Sequence, residues 1–349
     1  MPANPWSPGD RSREPAVLGQ PIREGAAWLP KDFKGAEPWV YRLSDDEVED
    51  ILAAVAALDG REILSVTKDD FPLPRLADAL ADVGAELRDG RGFAMLRGLP
   101  IDGRTLEQTA IAFWGLGLHL GAPISQNDRG HLLGHVTDLG VDPANVRGYM
   151  TSEALAFHTD RADLLSLCCL TAAKSGGQHR VCSSVSLHNE MLKRRPELVH
   201  ELAWEFYRSR TGEIPAGETK PWYRQPIFSV KDGYFAARGA SLAMKRAQSM
   251  PGVPKLTDAQ VEAIELFQSL CDEIALDIDL APGDITYVNC HVTQHARSDY
   301  EDWPQPERKR HLLRLWLHTG ARPLVDSVLQ DAKGVVVEGM TPVAPLEAA

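Results

Sequence analysis

Apolar residues recur at helical spacing along several stretches of the chain. Behind the capping-box pattern Ser44-Asp45-Asp46-Glu47, the segment Val48 to Leu58 is predicted as a helix. Pro74 to Arg88 repeats the spacing with Leu76, Leu80, Val83 and Leu87, and stops at Gly90. Thr105 to Leu120 predicts a long buried helix ending at Gly121, and Leu187 to Trp204 two helical pieces around Pro196. Thr257 to Asp277 reads as a long amphipathic helix capped by Thr257 or Asp258. Other runs are short, apolar or alternating, and bounded by turn residues. They predict strands at Gly92 to Gly98, Leu132 to Val136, Ala154 to Asp160, Leu164 to Ala172, Ile278 to Leu280, Asp284 to Cys290 and His311 to Thr319. A hairpin is expected where Pro226 to Val230 and Tyr234 to Ala237 flank Asp232-Gly233. Trp222-Tyr223-Arg224 falls in an expected loop. Many short strands with few helices predict an α+β fold with a jelly-roll core and covering helices. Residues 1–75 read as an N-terminal extension with a helix, 76–325 as the jelly-roll domain with helical insertions, and 326–349 as a polar C-terminal tail. The first 30 or so residues, rich in Pro and Gly, would be mobile or draped over that domain.

Composition removes several classes of function. The chain has 349 residues, 44% hydrophobic and 25% charged, ordinary for a globular protein. A net charge of −12 argues against a nucleic-acid partner, which selects a basic surface. The five cysteines, Cys168, Cys169, Cys182, Cys271 and Cys290, form no C-x-x-C pair. A disulfide framework and a Cys-rich zinc site are not expected. No run of about 20 apolar residues offers a membrane span, and the N-terminus lacks the charged and apolar regions of a signal peptide. The expectation is a cytoplasmic protein acting on a small molecule; a homo-oligomer is compatible with it.

The candidate chemistry starts at Phe157-His158-Thr159-Asp160. On a strand, His158 and Asp160 would share one face. One imidazole and one carboxylate are two-thirds of a 2-His-1-carboxylate Fe(II) site. A third ligand must come from elsewhere, and His291 and His295 follow the tight turn Pro282-Gly283-Asp284 and its strand. His131 and His135 make no zinc-protease motif, since no Glu lies between them. Downstream, Arg310, Leu312, Arg314, Trp316 and His318 would share one face of a strand, and His311 with three leucines the other. Two arginines on an otherwise apolar face are costly unless an anion meets them, and Arg suits bidentate carboxylate binding. A metal beside a carboxylate-binding arginine is what an oxygenase using an α-keto acid needs.

The chain resembles the taurine dioxygenase / clavaminate synthase-like (TauD/TfdA) family of Fe(II)/2-oxoglutarate oxygenases. The motifs stand in family order: F-H-T-D at 157–160, S-G-G at 175–177, P-G-D with N-x-H at 282–291, H-x-R at 295–297 and R-H-L-L-R-L-W at 310–316. The resemblance covers roughly residues 90 to 325 and implies a double-stranded β-helix domain that uses Fe(2+), 2-oxoglutarate and O2. It implies His158, Asp160 and His295 as metal ligands, with His295 preferred to His291 because H-x-R begins there. It further implies that Arg310 binds the 5-carboxylate of 2-oxoglutarate, that Arg314 lies near the keto acid or substrate, and that Asn289 and His291 line the pocket. Where the family often has Thr or Ser after the Gly pair, this chain has Gln178 and His179. His179, Ser183 or Ser184 would then supply the missing hydrogen bond. A carboxylate at position 160 favours hydroxylation or desaturation over halogenation. Substrate loops are expected within 122–157 and 205–250, with Gln126, Asn127 and Arg161 as candidates by position alone. The competing readings are a non-catalytic cupin-like metal binder, which would not need the paired arginines, and a zinc hydrolase using the same triad, which would need a general base.

Overall fold

The structure, a computed structural model, describes residues 4–140, 148–215 and 217–347. The N-terminal half runs β1 (Val40–Arg42), α1 (Asp45–Ala57), α2 (Ala77–Asp89), β2 (Phe93–Arg97), α3 (Leu106–Leu118), β3 (Ala122–Ile124), β4 (Leu133–Val136), β5 (Leu155–His158) and β6 (Leu164–Thr171). Then come β7 (Ser175–Gly176), β8 (His179–Ser183), α4 (Ser184–Arg194), α5 (Pro196–Glu201), β9 (Phe206–Ser209), β10 (Trp222–Gln225), β11 (Phe228–Lys231), β12 (Tyr234–Ala237) and α6 (Leu242–Ala247). The chain closes with α7 (Asp258–Glu273), β13 (Leu276–Ile278), β14 (Ile285–Asn289), β15 (Thr293–Arg297), β16 (Tyr300–Glu301), β17 (His311–His318) and α8 (Asp326–Asp331).

Helix starts follow local chemistry. Ser44, Thr105 and Thr257 each accept a hydrogen bond from the backbone three residues on, and Glu47, Gln108 and Gln260 reach back to cap the cap. While β7 with β16, β9 with β10 and β11 with β12 form separate two-stranded pairs, eleven of the strands form two facing sheets of a double-stranded β-helix. The larger has the order β1-β2-β14-β6-β17-β3, with β4 also paired to β17, and the smaller the order β13-β8-β15-β5. Three apolar layers hold them. Helices α1 to α3 pack on the outer face of the large sheet through Ile51, Leu80 and Phe113 against Leu313, Leu315 and Leu317. Helices α4, α5 and α7 cover the small sheet through Val185, Val199 and Phe267 against Phe157 and Ala296. Between the sheets lie Phe93, Leu165, Trp316, Val181 and Ile278. No helix among the described residues is long and apolar enough to cross a membrane.

Both ends of the chain are pinned. The Trp28 indole donates to the Arg91 carbonyl (2.8 Å), and Ala16, Ile22 and Ala26 are buried with the small-sheet helices, so the N-terminal segment is draped. The stretch expected as a polar tail contains α8 and buries Val328, Ala332 and Val335. Its apolar residues are too sparse to show a period. Trp222–Arg224, expected in a loop, belongs to β10, which pairs antiparallel with β9. The strand expected at 278–280 is shifted to 276–278. All five cysteines are free and buried.

Candidate metal and co-substrate site

Strand β5 ends at His158, and Asp160 lies just beyond it. Across the small sheet, antiparallel pairing sets His295 of β15 directly opposite His158. Directly opposed side chains touch, and the two imidazole centroids are 4.2 Å apart. The strand spacing expected for His158 and Asp160 thus ends in a turn, and the second histidine arrives by register. His158, Asp160 and His295 each offer a ligand atom, and these atoms lie within 4.8 Å of one another. His158 Nδ1 lies 2.8 Å from the Ala156 carbonyl. A carbonyl only accepts, so the proton sits on Nδ1 and Nε2 carries the free lone pair. The Trp316 indole donates to Asp160 Oδ2 (2.9 Å), which fixes the carboxylate. Burial, then the neighbouring His158 and His179, hold the His295 pKa well below its ordinary value. A buried neutral imidazole is the form that binds a metal.

The turn carrying Asp160 is held from behind. Arg238 Nη2 donates to the Asp160 carbonyl (2.6 Å) and to Asp331 Oδ2 (2.8 Å), while Arg161 Nε donates to Asp331 Oδ1 (2.7 Å). Burial alone would raise the Asp331 pKa, but Arg161, Arg238 and Arg208 outweigh it and bring the pKa down to about 2. The carboxylate on α8 therefore ties together the residue after Asp160 and the arginine that grips Asp160.

The paired arginines lie as the face alternation predicts. Arg310, Arg314 and Trp316 line a cavity of about 550 Å³ between the sheets, together with His158, Asp160, His179 and His295. Arg310 is buried, and its Nη1 has no hydrogen-bond partner. Its backbone N–H donates to Asp302 Oδ1 (2.7 Å). Gly177 makes room for it: φ there is +75°, and a Cβ would lie 3.0 Å from Arg310 Nε. This gives the second glycine of S-G-G a physical reason. Arg314 Nε donates to Gln126 Oε1 (2.6 Å), and its guanidinium lies 4.3 Å over the Tyr149 ring. Gln126, a candidate by position, therefore orients Arg314.

Of the three groups considered for the missing Thr or Ser contact, only His179 lines the cavity. Neither of its ring nitrogens has a hydrogen-bond partner, and burial, then Arg310 and His158, lower its pKa to about 3. Ser183 instead caps α4, and Ser184 Oγ accepts from Gln294 Nε2 (2.9 Å).

Asn289 needs correction. Its amide donates to the Leu87 carbonyl (2.9 Å) and accepts from the His291 N–H (2.9 Å), so its polar atoms are used on the helix side, away from the cavity. His291 likewise turns to Asp163 Oδ1 (2.8 Å). Residues the sequence reading did not single out also line the cavity: Tyr149, Arg246 and Arg297. Arg297 stood in the H-x-R motif. Its Nη2 donates to the Thr151 carbonyl (2.8 Å) and also to the Glu153 carbonyl. Burial, with Arg310 next, brings its pKa to about 10. Of the expected substrate loops, residues 141–147 and 216 lie outside the described residues.

The sequence model of the family described as taurine catabolism dioxygenase TauD, TfdA family matches residues 55–316. FR-33289 synthase of Streptomyces rubellomurinus is 32% identical over 315 residues, covering 86% of this chain and 91% of the relative. The taurine hydroxylase-like protein SAT17 of Stachybotrys chartarum is 29% identical over 325 residues, covering 88% and 82%. Among solved structures, asparagine oxygenase in complex with Fe(II), 3-hydroxyasparagine and succinate superposes with a TM-score of 0.62 at 20% identity, covering 80% of this chain and 94% of the other. The non-heme iron oxygenase OrfP in complex with Fe and alpha-ketoglutaric acid superposes with a TM-score of 0.60 at 16% identity, covering 80% and 93%.

Proposed function

The chain belongs to the taurine catabolism dioxygenase TauD, TfdA family and is an Fe(II)- and 2-oxoglutarate-dependent oxygenase, and on that premise we propose that it hydroxylates a C–H bond of a small-molecule substrate in the cavity between its two sheets. The observation that carries this reading is the convergence of His158, Asp160 and His295 within 4.8 Å on the wall of a cavity that also receives the unpaired Nη1 of Arg310. These residues fit the metal: one carboxylate and two imidazoles are a donor set suited to Fe(II) oxygenases.

With metal and co-substrate bound, oxidative decarboxylation of 2-oxoglutarate yields succinate and CO2 and supplies the oxidising power for the C–H bond. The chain's own residues bind and orient. His158 Nε2, an Asp160 oxygen and His295 would hold the iron. Arg310 would neutralise the 5-carboxylate; burial lowers its pKa, as expected of a cation without its counter-ion. Arg314, steadied by Gln126, would face the keto acid or the substrate. His179, neutral at physiological pH, would donate the hydrogen bond that a Thr or Ser gives elsewhere in the family. Leu165 and Leu167 give the cavity wall apolar surface beside these polar groups.

The test is anaerobic. Fe(II) followed by 2-oxoglutarate added to the metal-free protein should produce the weak visible charge-transfer band of a ferrous keto-acid chelate. His158→Ala or Asp160→Ala should abolish it while circular dichroism stays unchanged. A full-strength band in either variant would overturn the ligand assignment. Arg310→Ala should raise the 2-oxoglutarate KM roughly 30-fold or more, from the 2 kcal/mol or so at stake in a buried charged contact. Its Fe(II) affinity should change far less; an unchanged KM would place the carboxylate anchor elsewhere.

A further inference from the structure

Five arginines line the cavity, against two carboxylates, Asp160 and the exposed Glu153. Arg161 is neutralised from behind by Asp331 (2.7 Å) and Glu213 (3.2 Å). Among the described residues, Arg246, Arg297, Arg310 and Arg314 have no carboxylate within 4.0 Å. In a chain with 49 acidic and 37 basic residues, four unpaired guanidiniums around one cavity run against the overall charge. Such a cavity focuses positive potential and draws in anions.

Three of the four are already engaged. Arg310 is proposed for the 5-carboxylate of 2-oxoglutarate, Arg314 is held deep in the cavity by Gln126 and stacked over Tyr149, and Arg297 is tied to the carbonyls of Thr151 and Glu153. Arg246 remains, and its guanidinium has neither a hydrogen bond nor an ion pair among the described residues. It stands on α6 with Leu242 and Ala243, and these three residues, at i, i+1 and i+4, all line the cavity. The other side of α6 is anchored: Met244 is buried with the small-sheet helices, and Ala247 is buried too. Arg208 reaches from β9 to the Gly239 carbonyl (2.8 Å) and to Ser241 Oγ (3.3 Å), which fixes the entry to the helix. Leu242 is 59% exposed, a large apolar side chain left at the rim beside the cation.

We propose that Arg246 is the specificity-determining residue of this site and that the primary substrate is a small organic anion, its acidic group paired with Arg246 and its carbon chain lying along the apolar wall toward His158, Asp160 and His295. The assignment rests on the oxygenase reading above. Arg246 touches the substrate and none of the reacting atoms, so it governs affinity and orientation.

The experiment uses the full chain loaded anaerobically with Fe(II) and 2-oxoglutarate. Perturbation of the charge-transfer band is titrated with four probes of matched length: butanesulfonate, butanoate, butanamide and butylamine. The two anions should bind at least tenfold more tightly than the amide, and the amine least of all. In Arg246→Gln the band should still form, while the anion preference falls to threefold or less. Arg246→Lys should retain much of it, which a merely structural role would not explain. An equal response to all four probes, or to none, overturns the proposal, as does an undiminished preference in Arg246→Gln. Failure of the band itself in the unaltered protein would instead remove the oxygenase reading on which the assignment stands, and the assignment with it.

Discussion

A methyl group added at Gly239 would lie 2.6 Å from the Cα of His158 and 2.9 Å from the backbone nitrogen of Thr159. Neither neighbour is a flexible side-chain end, so Gly239→Ala must push the strand that carries His158. We expect a loss of about 1–3 kcal/mol in stability, typical of overpacking, and a disproportionate fall in Fe(II) affinity. Denaturant unfolding and an anaerobic Fe(II) titration measure the two, and wild-type iron affinity in Gly239→Ala would show that the strand can shift harmlessly. The same scale shows what could be read in the sequence. That His158, Asp160 and His295 would converge was legible because their motifs bring their own neighbours. That Arg310 and Arg314 would line one cavity was legible because two cations on an apolar strand face demand an anion. Gly239 and Arg238 gave no such signal. Arg238 reaches the Asp160 backbone across 78 positions, and contacts to backbone atoms leave no residue-type signature. Asn289 failed in the opposite way, since a polar residue on a site strand proved to serve the helix behind it.

Strand β15 reads Thr-Gln-His-Ala-Arg, yet all five residues are buried. Period-two reasoning looks for apolar residues on the inner face, and here the inner face belongs to the site. The strand was overlooked for the reason that makes it useful. Strand β3 and the β9–β10 pair were missed because each strand is only three or four residues long and its partner is distant. Helix α8 is the most consequential surprise. Six residues long, it places Asp331 between Arg161 and Arg238. Asp331→Asn should leave the buried Arg238 guanidinium without its carboxylate and the half-buried Arg161 with Glu213 alone, and cost about 3 kcal/mol. Because those arginines hold the Asp160 turn, Fe(II) affinity should also fall roughly 10–100-fold, the usual scale for groups that orient metal ligands. Chemical denaturation and metal titration together check this; a stability loss with unchanged iron affinity would confine Asp331 to a structural role.

Across the whole molecule, several buried or half-buried histidines are pushed toward the neutral form. Burial lowers the pKa of His119, His135, His188 and His291, and brings His311, with His135 next to it, down to about 4. His135 Nδ1 and His311 Nε2 are 2.8 Å apart, so one of the two nitrogens carries the proton and the other accepts it. In the unfolded chain these imidazoles take up protons near pH 6.5, well before the folded protein does. Stability is therefore fully present above about pH 6.5 and is lost as pH falls through the window toward 4. The melting temperature of the metal-free protein should drop by several degrees between pH 7.5 and 5.5; a flat profile would mean that the buried imidazoles already share protons with water. The sulfur chemistry has a practical corollary. All five thiols are buried, and burial raises the pKa of Cys168, Cys169, Cys271 and Cys290. An alkylating reagent meets no exposed thiol on the native molecule. A single cysteine installed at Trp204, which is 63% exposed, would be the one reactive handle, so a fluorophore or spin label can be attached there with the natural sulfur left in place.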